Sequence, residues 1–203
     1  MAHLIVFAKA PMPGRVKTRL ARAVGDRAAA RIATHMLDHT LAQVCGAGLG
    51  SGELCGAPDR DPVLARAAAE AGLAHTDQGE GDLGVRMHRA IARALKAHEE
   101  VLLIGTDCPA LDAGRLGRAA ARLKAGTTAV FYPTRDGGYC LVGLRRENRH
   151  LFTDIAWSTP RVMAATRERL KTLGWDWWEG EVLEDVDEPP QLSSLPAAWL
   201  APG

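Results

Sequence analysis

Short apolar runs of four or five residues recur along this chain, separated by longer Ala- and Arg-rich segments with a single apolar face. Residues 4–8, 101–104 and 128–132 carry no charge and are too short for helices, so each reads as a strand buried on both faces. Residues 26–44 instead place Ile32, Ala33, Met36, Leu37, Thr40, Leu41 and Val44 along one helical stripe. The same reading gives strands at 53–56 and 73–77 and helices at 62–71 and 83–97. Asp112 caps a helix running to Lys124, and a strand at 139–144 follows an Asp-Gly-Gly turn. Pro160 opens a last helix to Leu173, at a position proline tolerates. Strands that alternate with helices need crossover connections. The expected class is therefore α/β, a mostly parallel, Rossmann-like sheet flanked by helices. Residues 46–52 read as a loop rather than a boundary, because neither side holds a complete core, so 1–203 is expected to form one domain.

Composition narrows the partners. The 203 residues carry a net charge of +1, which excludes nucleic-acid binding through overall basicity and an acidic disordered tail. No apolar run approaches the roughly 18–20 residues of a membrane span. The first residues lead straight into a strand without a basic segment or cleavage site, so a signal peptide is not expected. The four cysteines are scattered without a Cys-x-x-Cys pair, which points to a reduced, cytoplasmic protein. The neutral balance conceals segregation. Residues 1–33 hold seven Lys and Arg against one acid, and residues 176–191 hold seven acids and no Lys or Arg.

In an open α/β sheet, ligands collect beyond the carboxyl ends of the strands. The loop after the first strand, Lys9-Ala10-Pro11-Met12-Pro13-Gly14-Arg15-Val16-Lys17-Thr18-Arg19, combines a Pro-Gly turn with three cations in five residues. Backbone amides with Lys and Arg are what a phosphate chain needs, although a solvated basic loop fits the same pattern. Asp107 follows the strand at 101–104 in Gly105-Thr106-Asp107-Cys108-Pro109. A lone carboxylate there suits Mg²⁺, which takes about one or two protein carboxylates and completes its shell with water and phosphate oxygens. The alternative is a cap on the next turn. In the acidic run 179–190, Asp185 and Asp187 share a face if the chain is extended, so either or both can join Asp107.

Three other patterns carry less. Gly79-Glu80-Gly81-Asp82-Leu83-Gly84 matches G-x-G-x-x-G but lacks the strong preceding strand and the acid after the next one. His35 and His39 lie one helical turn apart, off the apolar stripe and without a third ligand, and read as a solvated face. Trp175, Trp177 and Trp178 read as packing residues. Trp157, in Ala156-Trp157-Ser158-Thr159, is the one tryptophan expected near a ligand.

Taken in order, several segments resemble a known family. They are Phe-Ala-Lys-Ala-Pro-Met-Pro-Gly-Arg-Val-Lys-Thr-Arg-Leu at 7–20, Gln78 with Gly-Asp-Leu-Gly-Val-Arg-Met at 81–87, Ile-Gly-Thr-Asp-Cys-Pro at 104–109, Pro-Thr-Arg-Asp-Gly-Gly-Tyr at 133–139, and Trp-Ser-Thr at 157–159. The chain is similar over residues 3–192 to a glycosyltransferase-A-like family of unknown function in the nucleotide-diphospho-sugar transferase superfamily. Its relatives include guanylyltransferases for phospholactate and molybdopterin cofactors. The resemblance implies a GT-A-like fold with a nucleotide half and an acceptor half. It implies that Pro13, Gly14, Arg15, Lys17 and Arg19 hold the nucleotide's phosphates, that Gln78 reads the base edge with Gly81 alongside, and that Lys17 and Asp107 act in catalysis. Asp136, Gly137, Gly138 and Trp157 would line the acceptor, and Asp107 with Asp187 would hold Mg²⁺ or Mn²⁺. Glu188 and Gln191 depart from the family's threonine and aspartate after Asp187, which keeps Asp185 as the alternative second ligand.

Two reactions fit these expectations. One is nucleotidyl transfer from a nucleoside triphosphate, with pyrophosphate leaving; the other is glycosyl transfer from a nucleotide sugar, with Asp136 as a candidate base. Both use a small-molecule acceptor and neither involves nucleic acid or a membrane span. A non-catalytic nucleotide-binding accessory protein is the third reading, and it would need no metal.

Overall fold

The apolar runs pair into one seven-stranded sheet in the computed structural model, which describes residues 1–201. The last two residues of the expected 1–203 domain lie outside the described residues. In chain order the elements are β1 (His3–Lys9), α1 (Thr18–Val24), α2 (Asp26–Ala47), β2 (Gly52–Ala57), α3 (Pro62–Glu70), β3 (Ala74–Asp77), α4 (Leu83–Ala94), β4 (Val101–Ile104), α5 (Ala113–Lys124), β5 (Ala129–Pro133), β6 (Tyr139–Leu144), α6 (Val162–Leu173), β7 (Trp177–Glu179) and α7 (Ala197–Leu200). Short 3₁₀ turns occupy Arg149–Leu151 and Pro189–Ser194.

The strand order is β3-β2-β1-β4-β6-β5-β7. Strands β3, β2, β1 and β4 are mutually parallel, β6 runs antiparallel between β4 and β5, and β7 adds parallel to β5. The sheet is thus mostly parallel and flanked by helices, as the alternation requires. From β1 the chain leaves toward β2 on one side, while β4 pairs on the other. Their diverging connections mark the position beyond the carboxyl ends of β1 and β4 where sheets of this order ordinarily take ligands in a crevice.

Two apolar layers hold the sheet. Leu4, Val6 and Ala8 of β1 pack with α2, α3 and α5 on one face. Ile5 and Phe7 pack with α4, α6 and the 151–152 turn on the other. A smaller cluster of Leu20, Ile32, Met36, Val186 and Leu195 ties the C-terminal segment to α1 and α2, which brings the acidic run back to the strand ends. Helices α3, α4 and α5 begin on Asp61, Asp82 and Asp112, whose carboxylates accept backbone N–H groups of the first turn. Each cap contributes about 1 kcal/mol and fixes the loop that leaves the strand before it.

Some expectations shift. The helix from Asp26 continues through Gly46 to Ala47, so the loop begins later than expected. The α4 helix stops at Ala94, and α6 starts at Val162 rather than at Pro160. His35 and His39 are not a solvated face. Their rings lie 5.8 and 5.5 Å from the indole of Trp199, which covers them, and His39 Nε2 bonds the Pro109 carbonyl oxygen at 3.0 Å. Among the described residues no helix is long and apolar enough to cross a membrane.

Candidate functional site

The loop after β1 is folded by its own backbone. Ala10 N–H donates to the carbonyl of Ala57, the last residue of β2, and Arg15 N–H donates back to Met12 at 3.0 Å. Gly14 takes φ +73°, which lets the turn close. Val16 is buried, while Arg15 and Arg19 face solvent. Lys17 precedes α1 in the left-handed region, at φ 48° and ψ 40°, and its side chain turns inward to 5% exposure. The ammonium is surrounded by oxygen. Its Nζ lies 2.8 Å from Asp107 Oδ1 and 3.8 Å from Asp187 Oδ1, and it donates to the Val186 carbonyl at 2.6 Å. Arg19 reaches Asp187 Oδ2 at 3.1 Å and Glu188 at 3.6 Å. The cations expected to meet phosphates are therefore paired with the acidic segment, and Arg15 has no ion-pair partner among the described residues.

That acidic segment crosses the strand ends by backbone pairing. Leu183 N–H donates to Pro133, Arg135 N–H donates to Leu183, and Val186 N–H donates to the Asp107 carbonyl at 2.8 Å. The extended stretch sets Asp187 beside Lys17. Asp185 is half-buried, and burial first, then the neighbouring carboxylates of Asp136, Asp187 and Asp107, push its pKa above the ordinary range. The departures at Glu188 and Gln191 form a cap: Gln191 Oε1 accepts the Glu188 N–H at 2.7 Å and starts the 3₁₀ turn.

Among the described residues no three His, Cys, Asp or Glu side chains form a cage for a metal ion. The oxygens of Asp107, Asp187 and Val186 nonetheless converge on one cation, the Lys17 ammonium. Two carboxylates and a carbonyl are the hard donors that Mg²⁺ or Mn²⁺ accepts, so this donor set fits such an ion.

Among the residues expected to line an acceptor, Asp136 Oδ1 accepts from Thr134 Oγ1 at 2.6 Å and from Gly138 N–H at 2.9 Å, closing the turn between β5 and β6. Gly137 takes φ +88°, and a Cβ there would stand 2.2 Å from the Pro160 carbonyl oxygen. Its own carbonyl accepts the Met163 N–H at 2.8 Å, so this turn docks on the start of α6. Trp157 is half-buried between Gly84 and Tyr139, the latter at 6.4 Å in edge contact. The Asp-Gly-Gly and Trp-Ser-Thr motifs are thus one packed unit.

Gln78 is placed differently from the expectation. It is 5% exposed, and its amide nitrogen donates to the Ala8 and Cys55 carbonyls at 3.1 and 3.0 Å. Its donors are used within the fold, tying together the ends of β1 and β2. Gly81, at φ +106°, sits in the following loop, which Arg86 and Arg89 clamp through the Gly81, Gln78 and Glu80 carbonyls. Sequence reasoning missed this clamp, Thr134 and the Val186 carbonyl. Arg86 and Thr134 stood within the noted motifs, whereas a backbone carbonyl leaves no residue-type signal.

Residues 40–159 match the model of a family described as an uncharacterised protein conserved in bacteria, DUF2064. No curated protein matches the chain. Among solved structures, a protein of Desulfovibrio desulfuricans G20, provisionally named a nucleotide-diphospho-sugar transferase, is 28% identical with a TM-score of 0.79, covering 93% of this chain and 84% of that one. A CMP:2-keto-3-deoxy-manno-octonic acid synthetase complexed with CTP matches at 13% identity and TM-score 0.61, over 98% of both chains. Glucosyl-3-phosphoglycerate synthase from Mycobacterium tuberculosis, complexed with Mn²⁺, UDP and glucosyl-3-phosphoglycerate, matches at 10% identity and TM-score 0.60, over 96% of this chain and 75% of that one. The last two likenesses establish the shared fold.

Proposed function

The chain belongs to the DUF2064 family, and from that footing we propose that it is a single-domain transferase of nucleotide-activated substrates. The proposed reaction is nucleotidyl transfer from a nucleoside triphosphate to a small phosphorylated acceptor. The observation that carries this reading is the meeting of the basic loop 13–19 with Asp107 and Asp187 beyond the carboxyl ends of β1 and β4. An acceptor phosphate oxygen attacks the α-phosphorus, the bond to the bridging oxygen breaks, and pyrophosphate leaves with the electron pair. Pro13, Gly14 and Arg15 shape the loop that receives the phosphates, and Arg15 is the cation free to meet them first. Lys17 and Arg19 offset charge on the departing pyrophosphate, as fixed cations do for phosphoryl oxygens. Asp107 and Asp187 would hold Mg²⁺ or Mn²⁺, which would supply positive charge against that of the phosphates. The unit of Asp136, Gly137, Gly138 and Trp157 borders the acceptor. Gln78 and Gly81 shape the base end of the site.

Glycosyl transfer from a nucleotide sugar is the second reading, favoured by the name given to the 28% identical relative. Against it, Asp136 spends one carboxylate oxygen on its own turn, as an Asp before Gly-Gly ordinarily does.

The test incubates the protein with nucleoside triphosphates or nucleotide sugars, Mg²⁺ or Mn²⁺, and a panel of phosphorylated and hydroxyl acceptors. Acceptor-dependent pyrophosphate release is the expected result, and nucleoside diphosphate release selects the second reading. No turnover, with metal-independent nucleotide binding unchanged by Asp107→Ala, overturns both in favour of a binding module.

A further inference from the structure

We infer that Lys17 is a built-in counter-cation that holds the divalent-ion position until nucleotide phosphates draw its ammonium away, so that metal binding waits for nucleotide. This rests on the reading of Asp107 and Asp187 as metal ligands.

Three observations carry it. First, the ammonium does not lie along the loop's outer surface. Its side chain is 5% exposed, with Asp107 Oδ1 at 2.8 Å, the Val186 carbonyl at 2.6 Å and Asp187 Oδ1 at 3.8 Å. Those are the oxygens a divalent ion would use, so ammonium and metal compete for one place. Second, the local backbone does not favour this pose. Lys17 holds φ 48°, a region that Cβ-bearing residues seldom occupy, and its side chain provides no cap for α1. What holds it is the oxygen cluster, and strain of this kind persists only where its surroundings impose it. Third, cations of the same loop already meet this acidic segment by geometry: Arg19 reaches Asp187 Oδ2 at 3.1 Å and Glu188 at 3.6 Å, beside the Lys17 pairs.

The consequences follow from charge. A metal ion arriving alone meets a cation already seated and must expel it from its pairs with Asp107 and Asp187. A phosphate chain offers that anion: once it takes the ammonium, the oxygens of Asp107 and Asp187 are released. A purely structural salt bridge would behave differently, because its loss would cost stability without opening a metal site.

The experiment titrates Mn²⁺ alone, with no nucleotide, and reads free Mn²⁺ by electron paramagnetic resonance. It compares the wild-type chain, Lys17→Met, Lys17→Gly (which suits the left-handed backbone) and Lys17→Met/Asp107→Asn, each checked for folding by circular dichroism. Lys17→Met and Lys17→Gly are expected to bind Mn²⁺ about 10- to 100-fold more tightly than wild type, since a unit like charge a few ångströms away is removed. Asp107→Asn should erase the gain. In the wild type, a nucleoside triphosphate should promote retention of protein-bound Mn²⁺. Equal or weaker Mn²⁺ binding by both Lys17 variants, with nucleotide-dependent binding intact, overturns the inference while leaving the metal reading standing. Micromolar Mn²⁺ binding by the wild type without nucleotide overturns it on the unaltered chain. No Mn²⁺ binding by any form, with or without nucleotide, removes the metal reading and this inference together.

Discussion

Gly84 lies in the first turn of α4, where glycine ordinarily weakens a helix. Replacing a helical glycine by alanine normally gains about 1 kcal/mol. Here the sign should reverse. A Cβ on Gly84 would stand 2.2 Å from the Phe152 carbonyl oxygen, 2.6 Å from Trp157 Nε1 and 2.9 Å from Trp157 Cε2. The first neighbour is backbone and the second a packed indole, so neither can swing aside as a flexible side chain would. Overpacking of this kind costs about 1–3 kcal/mol and sometimes more, which outweighs the propensity gain. Gly117 in α5 is the internal control, because nothing lies within 4 Å of a Cβ there. For a chain of this size, about 1 kcal/mol moves the melting temperature by roughly 2–4 °C. Gly117→Ala should raise it by about that much, and Gly84→Ala, net of the propensity gain, should lower it by up to roughly 8 °C. The perturbation also pushes Trp157 away from α4, so acceptor-dependent turnover should fall more than nucleotide binding. Thermal unfolding of both variants decides the matter. If Gly84→Ala melts as high as Gly117→Ala, the contact between α4 and the Trp157 loop is not as described, and the unit built on it fails.

Asp136→Asn should keep the turn through its amide oxygen and retain activity within about tenfold, whereas Asp136→Ala should lose far more; equal losses in acceptor-dependent turnover would favour a carboxylate base. Gln78→Leu should destabilise by about 1–3 kcal/mol in urea unfolding, because the Ala8 and Cys55 carbonyls lose a buried donor. Arg167 forks onto Glu179 at 2.8 and 2.7 Å, and this hydrogen bonding, foremost among its causes, holds the Glu179 carboxyl below the usual glutamate range. The stabilisation is therefore present above the unfolded glutamate pKa and is lost as pH falls through the lower folded value. Arg167→Met should remove about 0.5–1.5 kcal/mol at neutral pH, discounted for partial exposure, and flatten the acid limb of a melting-temperature profile; an unchanged slope there would show that the pair contributes nothing.

The core strands were legible because burial on both faces leaves no room for a charge. Residues 101–104 and 4–8 show this directly, and both lie at the centre of the sheet. Strand β7 was not legible: Trp177-Trp178-Glu179 is three residues long and sits at an edge, so its residues read equally as packing. The first helix was hidden for a related reason. Thr18–Val24 buries only Leu20, too little to mark a period. At the site, the basic loop that holds Lys17, and Asp107, could be singled out from residue type and position after strands, whereas Asp187 was preferred to Asp185 only through the family resemblance. Their mutual pairing could not, because it depends on Val186 N–H bonding the Asp107 carbonyl, a backbone contact between distant segments. Gln78 shows the opposite limit. The resemblance implies that it reads a base edge, yet its amide nitrogen is turned inward to bond two strand ends.

The net charge of +1 hides opposed segments that the fold brings into contact. Their contact has a consequence for what the proposed site can select. At an effective dielectric of about 20, unit charges about 4 Å apart interact by about 4 kcal/mol, so neither set of charges is negligible to an incoming ion. A phosphate chain without metal is drawn to Arg15 but repelled by Asp107, Asp185 and Asp187. A metal ion without phosphate is drawn to those acids but repelled by Lys17 and Arg19. Only a ligand carrying both charges, with the anion set against the loop and the cation against the acids, offsets both repulsions at once. On the reading proposed above, the segregation therefore discriminates the metal–nucleotide complex from either component, and it does so through charge placement, independently of base, sugar or acceptor.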